Sequence, residues 1–129
     1  VSMRKLSVPH KTASGRAILA HWDEAALRAY LSCWSAKDIA PQDRVDAKRL
    51  GAQLDEVRAA GVALIVDEWV AGATGISAPV FDRDGRPIAA ITVGAVTARY
   101  LADRDEIIEA VKIAAEQVMT LLPVGLRAS

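Results

Sequence analysis

The chain has 129 residues, of which 52% are hydrophobic and 25% are charged, so it can bury the core of one ordinary domain and is not a disordered chain. Sixteen Lys and Arg balance sixteen Asp and Glu, which gives a formal net charge of zero. A domain that grips DNA by its phosphates needs clustered positive charge. We therefore expect that this chain does not bind DNA by itself.

The cysteine content and the hydropathy pattern bear on location. The single cysteine, Cys33, excludes an intrachain disulfide and favours a reducing, cytoplasmic location. No window reaches the roughly 18 uninterrupted apolar residues of a membrane span, and no basic segment leads into an apolar one as in a secretory signal. Because Cys33 lies in a predicted amphipathic helix, we expect its thiol to be buried and inert.

Helix-start signals predict three helices in the first half of the chain. Thr12 or Ser14 caps a short helix, and Asp23 is the predicted N-cap of a second one. A third helix begins near Asp46 and ends at Gly61, which stands where a left-handed C-terminal residue belongs. The apolar face of this third helix is formed by Leu50, Leu54 and Val57.

The hydrophobic period then changes to that of strands. The predicted strands are residues 62–70, 76–81 and 87–96. Residues 82–86 form a predicted hairpin loop in which Gly85 adopts a positive φ. The third strand is apolar on both faces, so we expect it to be the central, covered strand.

The last helix has the clearest start signal. Asp103 is its predicted N-cap, with Glu106 three residues on as in a capping box, and Leu101 and Ile107 at the positions of a hydrophobic staple. Its predicted apolar stripe is Ile107, Val111, Ala114, Val118 and Leu122.

The order of helices, three strands and a helix predicts an α+β fold, because the hairpin is antiparallel. Three strands are few for a sheet covered on both faces. We therefore expect that further strands lie upstream or come from another copy of the chain.

The sequence holds no pattern for covalent or metal chemistry. Ser14 lacks the Gly-x-Ser-x-Gly context of an activated serine, and His10 and His21 have no carboxylates at metal-ligand spacing. Residues 82–85 resemble the start of a calcium loop, but a hairpin turn explains them better. We predict no catalytic residue, no metal and no cofactor.

Asp67 and Glu68 are adjacent acidic residues at the end of the first predicted strand. Neighbours on a strand face opposite ways, so at most one of them can face the core. A solvated pair at a strand end is favoured over a binding role.

Three stretches of small residues could instead line a ligand pocket. Residues 12–15 open a helix, residues 72–75 break a strand, and Thr92 and Gly94 share one face of the third strand. If these regions converge, they leave a cavity with backbone donors and a few hydroxyls that suits a small carboxylate or aromatic acid. Ordinary capping, turn and packing chemistry is the alternative explanation for each stretch.

Several of these segments, in order, resemble the effector-binding domain of bacterial transcriptional regulators of the isocitrate-lyase-regulator (IclR) type. The run from Pro9 and His10 through Thr12-Ala13-Ser14-Gly15-Arg16-Ala17 is similar to the family's P-L-H-x-T-A-x-G-[KR]-A. Residues 54–61 resemble its L-x-x-[IV]-R-x-x-G, and residues 67–72 its [DE]-E-x-x-x-G. Residues 76–85 resemble its I-A-A-P-V-F-D-x-x-G. The resemblance covers residues 8 to about 122.

The resemblance implies a GAF-like antiparallel sheet flanked by helices that holds a small metabolite. Complete members carry an N-terminal winged helix-turn-helix and form dimers or tetramers. The resemblance thus implies that residues 1–129 are one sensor domain without its first strands and without the DNA reader. DNA would be bound only through that other domain, and no membrane is involved.

The resemblance also implies which residues contact the ligand. In the family, the ligand carboxylate meets the backbone at the two positions before the motif glycine, which are Ala13 and Ser14 before Gly15 here. At three further pocket positions the family often has a cysteine, a hydroxyl residue and an acid, and this chain has Gly75, Gly94 and Ile65 there, in that order. Thr92 is at a second hydroxyl position of the last strand and keeps its hydroxyl. The pocket would thus be less polar than one for glyoxylate-like acids, which favours an aromatic or aliphatic acid. Asp67, on the same strand face as Ile65, is expected to substitute for the missing acid.

Two other classes of function stay open at this point. An assembly domain with a vestigial pocket would explain the apolar Ile65 and the hydroxyl lost at Gly94. A small carboxylate-processing enzyme would need a base and a nucleophile that the sequence does not show. We therefore predict a sensor and oligomerisation domain and not an enzyme.

Overall fold

The computed structural model describes residues 8–68 and 70–122. In this part of the chain five α-helices and a three-stranded sheet follow one another: α1 (Ala13–Leu19), α2 (Glu24–Trp34), α3 (Ala47–Ala60), β1 (Ala63–Val66), β2 (Ala73–Phe81), β3 (Pro87–Val96), α4 (Thr97–Ala102) and α5 (Arg104–Leu121). The predicted α+β class is confirmed. None of the described helices is both long and apolar enough to cross a membrane.

The first three helices begin where their capping residues predicted. The side chains of Thr12, Asp23 and Asp46 accept hydrogen bonds from the backbone N–H of the third residue of α1, α2 and α3. Gly61 ends α3 in the left-handed conformation with φ of 80°. The predicted face of α3 is also confirmed, since Leu50, Leu54 and Val57 are buried.

The sheet is antiparallel with the order β1-β2-β3. The expectation that β3 is central was wrong for the strands that the structure describes, because β2 lies between β1 and β3 and is the most deeply buried of the three. The sequence of β3 is apolar on both faces largely because it contains small residues such as alanine and glycine. These residues expose little apolar surface even at the edge of a sheet, so they do not indicate whether a strand is central. The hairpin loop and the positive φ of Gly85 are confirmed, and Pro87 opens β3 as predicted.

Two hydrophobic cores lie on opposite faces of this sheet. On one face α1, α2 and α3 pack over Ala63 and Ile65. On the other face α5 covers Ile76, Ala78 and Val80 through its own apolar stripe. The alternation of side chains along β1 and β2 assigns each residue to one of these cores.

The start of α5 differs from its prediction. The short helix α4 precedes it, and Asp103 makes no capping hydrogen bond. Its carboxylate instead accepts a hydrogen bond from Arg99 Nε at 2.7 Å, within the last turn of α4. Leu101 is 65% exposed, so it does not act as a staple, whereas Ile107 packs on the core as expected.

Cys33 is exposed, so the prediction of a buried thiol was wrong. The buried stripe of α2 consists of Leu27, Tyr30, Leu31 and Trp34, which repeat at helical spacing. Cys33 lies in the same helix but off that stripe.

Gly15 is required where α1 meets the 3₁₀ turn Pro9–Lys11. A Cβ atom at Gly15 would lie 2.0 Å from the Pro9 carbonyl oxygen, whereas a Cβ atom at Gly51 in α3 would meet nothing within 4 Å. We predict that Gly15→Ala lowers the free energy of unfolding by about 1–3 kcal/mol, and that Gly51→Ala raises it by up to about 1 kcal/mol. Urea unfolding of both variants measures this difference. Equal effects of the two substitutions would contradict the close approach at Gly15.

Candidate functional site

One face of the sheet brings together most of the residues that the sequence singled out. Ile65 of β1 lies opposite Gly75 of β2, and Gly75 lies opposite Gly94 of β3. In the next row toward the hairpin, Ser77 lies opposite Thr92. Because side chains alternate along strands, these positions all face the side on which α1 packs.

Helix α1 approaches this face closely at its first residue. A Cβ atom at Gly75 would lie 3.5 Å from the Cβ of Ala13, which is an ordinary van der Waals contact. Ala13 is buried and belongs to the core on this side. Small side chains at both positions therefore place the beginning of the helix directly over the middle of the sheet.

A pair of hydroxyl groups lies beside the two glycines. The hydroxyl oxygens of Ser77 and Thr92 are 2.9 Å apart and share a hydrogen bond. Ser77 is fully buried, and Thr92 is exposed at the edge of the sheet. Sequence reasoning missed Ser77, although a polar residue within an otherwise apolar strand could have indicated it. Ser77 thus provides a second hydroxyl close to the position where Gly94 has none.

The first turn of α1 leaves two backbone donors without a partner. The Thr12 side chain accepts the Gly15 N–H at 2.9 Å and donates to the Pro9 carbonyl at 3.1 Å. Within residues 8–68 and 70–122, the N–H groups of Ala13 and Ser14 have no hydrogen-bond acceptor. These are the two positions that the family resemblance assigned to a ligand carboxylate.

A depression of about 380 Å³ opens next to this turn. Its lining consists of Pro9, Thr12, Ser14, Gly15, Ile18, Leu19, Trp22 and Tyr30. Gly75, Thr92 and Gly94 do not line it, so the three predicted stretches converge only in part. The α1 start and Gly75 lie on the same side of the sheet as Thr92 and Gly94 of β3. Gly72, by contrast, lies in the exposed turn before β2.

Asp67 does not share a strand face with Ile65, and that prediction was wrong. Strand β1 ends at Val66, and Asp67 adopts a φ of 59°, which turns the chain out of the sheet. Its carboxylate accepts hydrogen bonds from the Gly72 N–H at 2.9 Å and the Thr97 hydroxyl at 2.6 Å. Asp67 therefore ties the turn before β2 to the start of α4, while Ile65 is buried in the core.

Glu68 pairs with the arginine of the α1 motif. The two guanidinium nitrogens of Arg16 lie 3.2 and 3.4 Å from the Glu68 carboxylate oxygens, and Arg16 Nε donates to the His10 carbonyl at 2.8 Å. Arg16 is buried, whereas the Glu68 side chain is partly exposed. Both residues of the acidic pair that was predicted to be solvated thus make polar contacts within the protein, and Glu68 is also partly exposed to solvent.

A cluster of aromatic rings packs against the 3₁₀ turn Pro9–Lys11 that precedes α1. The Tyr30 hydroxyl accepts the His10 N–H at 3.1 Å and lies 2.7 Å from His10 Nδ1. The His10 ring also contacts Trp34 edge-on. Burial lowers the pKa of His10, and the charges of Lys11 and Arg16 lower it further against an opposing effect of Asp43. Burial raises the pKa of Tyr30 to about 12.

The two histidines make stability depend on pH. Burial also lowers the pKa of His21. Below the ordinary histidine pKa of 6.5, the unfolded chain binds more protons than the folded chain. The free energy of unfolding therefore falls as the pH falls through this value, and the histidines cause no such loss above it. We predict that the free energy of unfolding decreases from pH 7 to pH 5, and that His10→Asn makes this decrease shallower. Chemical denaturation across this range measures it, and an unchanged slope in the variant would show that His10 does not contribute.

The role assigned to Asp67 is tested by Asp67→Ala. The Gly72 N–H would lose its acceptor and the Thr97 hydroxyl would keep only its hydrogen bond with Thr74, so we expect stability to fall by about 1–3 kcal/mol. Because the carboxylate points away from the glycine and hydroxyl rows, the affinity for any ligand at the α1 start is expected to stay unchanged. Denaturation and ligand titration of the same variant separate the two effects. A loss of affinity with unchanged stability would return Asp67 to the binding site.

Comparisons with known proteins bear on the family of this chain. Residues 4–120 match the family described as bacterial transcriptional regulator IclR, C-terminal. The Pca regulon regulatory protein of Pseudomonas putida is 33% identical over 97 residues, which are 72% of this chain and 33% of that protein. The HTH-type transcriptional regulator XynR of Escherichia coli (strain K12) is 31% identical over 96 residues, or 74% of this chain and 38% of that protein.

A solved structure shows the same fold. The C-terminal domain of the E. coli transcriptional regulator KdgR aligns with a TM-score of 0.72 and 26% identity, over 87% of this chain and 69% of that domain. The chain thus spans about a third of the length of the curated relatives and about two thirds of that isolated domain. The family match over most of the chain and the shared fold lead to one conclusion: the chain belongs to the IclR family of bacterial transcriptional regulators, as the family's C-terminal effector-binding domain.

Proposed function

We propose that this chain senses a small carboxylic acid, aromatic or aliphatic, and helps its regulator to oligomerise. The observation that carries the proposal is the α1 start, where the N–H groups of Ala13 and Ser14 have no acceptor among the described residues and Ala13 lies beside Gly75 of the sheet. A carboxylate can accept both N–H groups. The apolar residues Ile18, Leu19 and Trp22 of the adjoining depression suit the rest of an apolar acid.

The proposed action involves no covalent chemistry. An acid that binds one conformation of the domain better than another shifts the population toward that conformation. In the complete regulator this shift changes how the DNA-reading domains are placed on an operator. An acid that binds both conformations equally has no effect, however tightly it binds. The relatives are named as regulators, which supports this action over an enzymatic one.

A second candidate is an assembly domain whose pocket is vestigial. The exposure of Thr92 and Gly94 favours it, because these positions face solvent and lack a wall that would enclose a ligand. A buried, apolar Ile65 at the position where the family often has an acid points in the same direction.

A thermal-shift screen separates these two candidates. Each acid is paired with its neutral amide, for example benzoate with benzamide, so that a shift specific to the acid reports on the carboxylate. At a concentration of about a hundred times the dissociation constant, a bound acid adds roughly 2.7 kcal/mol, which is several degrees for a domain of this size.

The position of the ligand is tested by Ser14→Leu, because Ser14 lines the depression beside the unpaired N–H groups. We expect this variant to abolish the acid-dependent shift. Ser32→Leu, on the exposed side of α2, is the matched control and retains it. A cooperative melt that no acid shifts would support the assembly domain, and a shift that survives Ser14→Leu would place the ligand elsewhere.

A further inference from the structure

Tyr30 of α2 contacts both the candidate site and the segment that leads into it. Its side chain belongs to the lining of the depression beside α1. Its hydroxyl oxygen lies 3.1 Å from the backbone nitrogen of His10 and 2.7 Å from His10 Nδ1. The residue is buried and is part of the apolar stripe by which α2 packs on the core. A single side chain thus joins α2, the depression and the 3₁₀ turn Pro9–Lys11.

The Tyr30 hydroxyl supplies the one acceptor that this turn cannot provide for itself. Pro9 has no backbone N–H, and the N–H groups of Lys11 and Thr12 donate to carbonyl groups at the start of the turn. The N–H of His10 donates instead to Tyr30, twenty positions along the chain. Because a buried backbone N–H needs an acceptor, the turn depends on this contact with α2.

The second contact accounts for the hydrogen of the hydroxyl group. Burial raises the pKa of Tyr30 to about 12, so the hydroxyl keeps its hydrogen at neutral pH. Since the oxygen already accepts the His10 N–H, this hydrogen bonds to Nδ1 of the same residue. The neutral His10 ring then carries its own proton on Nε2. Both contacts use the hydroxyl fully as a donor, so Tyr30 has no hydrogen left to donate to a ligand.

Three hydrogen bonds attach the turn to the start of α1. The Pro9 carbonyl accepts the Thr12 hydroxyl at 3.1 Å, and the oxygen of that hydroxyl accepts the Gly15 N–H at 2.9 Å. In addition, Arg16 Nε donates to the His10 carbonyl at 2.8 Å. The first turn of α1 therefore has a fixed position relative to the 3₁₀ turn, and whatever holds the 3₁₀ turn also orients the start of the helix.

We propose that Tyr30 is a positioning residue of the acid site, whose hydroxyl group holds the 3₁₀ turn and so sets the direction of the N–H groups of Ala13 and Ser14. This inference rests on the proposed function, because it concerns the donors that are proposed to bind the carboxylate. Tyr30 acts through the turn and makes no hydrogen bond to the acid. Charge-assisted hydrogen bonds are strong only when the donor is well directed. Loss of the hydroxyl therefore weakens binding of an acid more than binding of its neutral amide.

Tyr30→Phe tests the positioning before any ligand is added, because it keeps the ring and removes only the hydroxyl group. In amide NMR spectra we expect the signals of Ala13 and Ser14 to shift. In NMR spectra of the imidazole nitrogens we expect His10 to lose its preference for the form with the proton on Nε2. Unchanged signals of Ala13 and Ser14 in a folded Tyr30→Phe protein would overturn the proposal.

Thr74→Val is the matched control, because it removes another buried hydroxyl group at a distance from the site. The Thr74 hydroxyl lies 2.9 Å from the Thr97 hydroxyl, and Thr74 is only 2% exposed. Thr74 precedes Gly75 in β2 and so faces the opposite side of the sheet from α1. We expect this variant to lose stability as Tyr30→Phe does, while the amide signals at the start of α1 stay unchanged.

Titration with benzoate and with benzamide tests the consequence for binding. We expect Tyr30→Phe to raise the dissociation constant of benzoate about tenfold, as the loss of one good hydrogen bond does. The dissociation constant of benzamide is expected to change less than about threefold. We expect Thr74→Val to leave the ratio of the two constants as it is in the wild-type protein. A merely structural role of Tyr30 would weaken both ligands equally, and this result would overturn the proposal.

The wild-type protein is titrated first, so the two possible failures are distinguishable. If it binds no acid, the proposed function fails and the role of Tyr30 at an acid site fails with it. If it binds benzoate and Tyr30→Phe binds with the same preference over benzamide, the proposed function stands and only the role of Tyr30 is overturned.

Discussion

The close approach of α1 to the sheet is the constraint on which the rest of the structure depends. Ala13 lies against Gly75, and Gly15 lies against the Pro9 carbonyl. A Cβ atom at Gly15 would move the helix away from the turn before it, whereas a Cβ atom at Gly75 would be in ordinary contact with Ala13. The first turn of the helix therefore lies over the central strand β2, whose Ser77 hydroxyl shares a hydrogen bond with Thr92 on β3.

Polar contacts stabilise this arrangement from both ends. Arg16 joins the turn at His10 to Glu68, beyond the end of β1, and Asp67 joins the same region to Thr97 at the start of α4. Two adjacent acidic residues thus connect the chain in two different directions. Because a buried guanidinium is costly without a partner, the pairing of Arg16 also explains why an acid follows β1 directly.

Local interactions account for what the sequence by itself determined. The caps at Thr12, Asp23 and Asp46, the end of α3 at Gly61 and the hairpin at Gly85 depend on hydrogen bonds and backbone angles within a few residues. The order of motifs along the chain also indicated the family, and the family match confirmed it.

Only the tertiary structure decided which of two equally apolar strands is central, where Asp67 points, and whether Cys33 is buried. Strand order depends on long-range pairing, and a run of small apolar residues such as β3 reads the same at an edge as in the middle. Asp67 adopts a positive φ and accepts hydrogen bonds from Gly72 and Thr97. Both partners lie outside β1, so the alternation of residues along that strand could not predict where Asp67 points. For the same reason the hydroxyl of Ser77 could be linked to Thr92 only once the register of β2 and β3 was known.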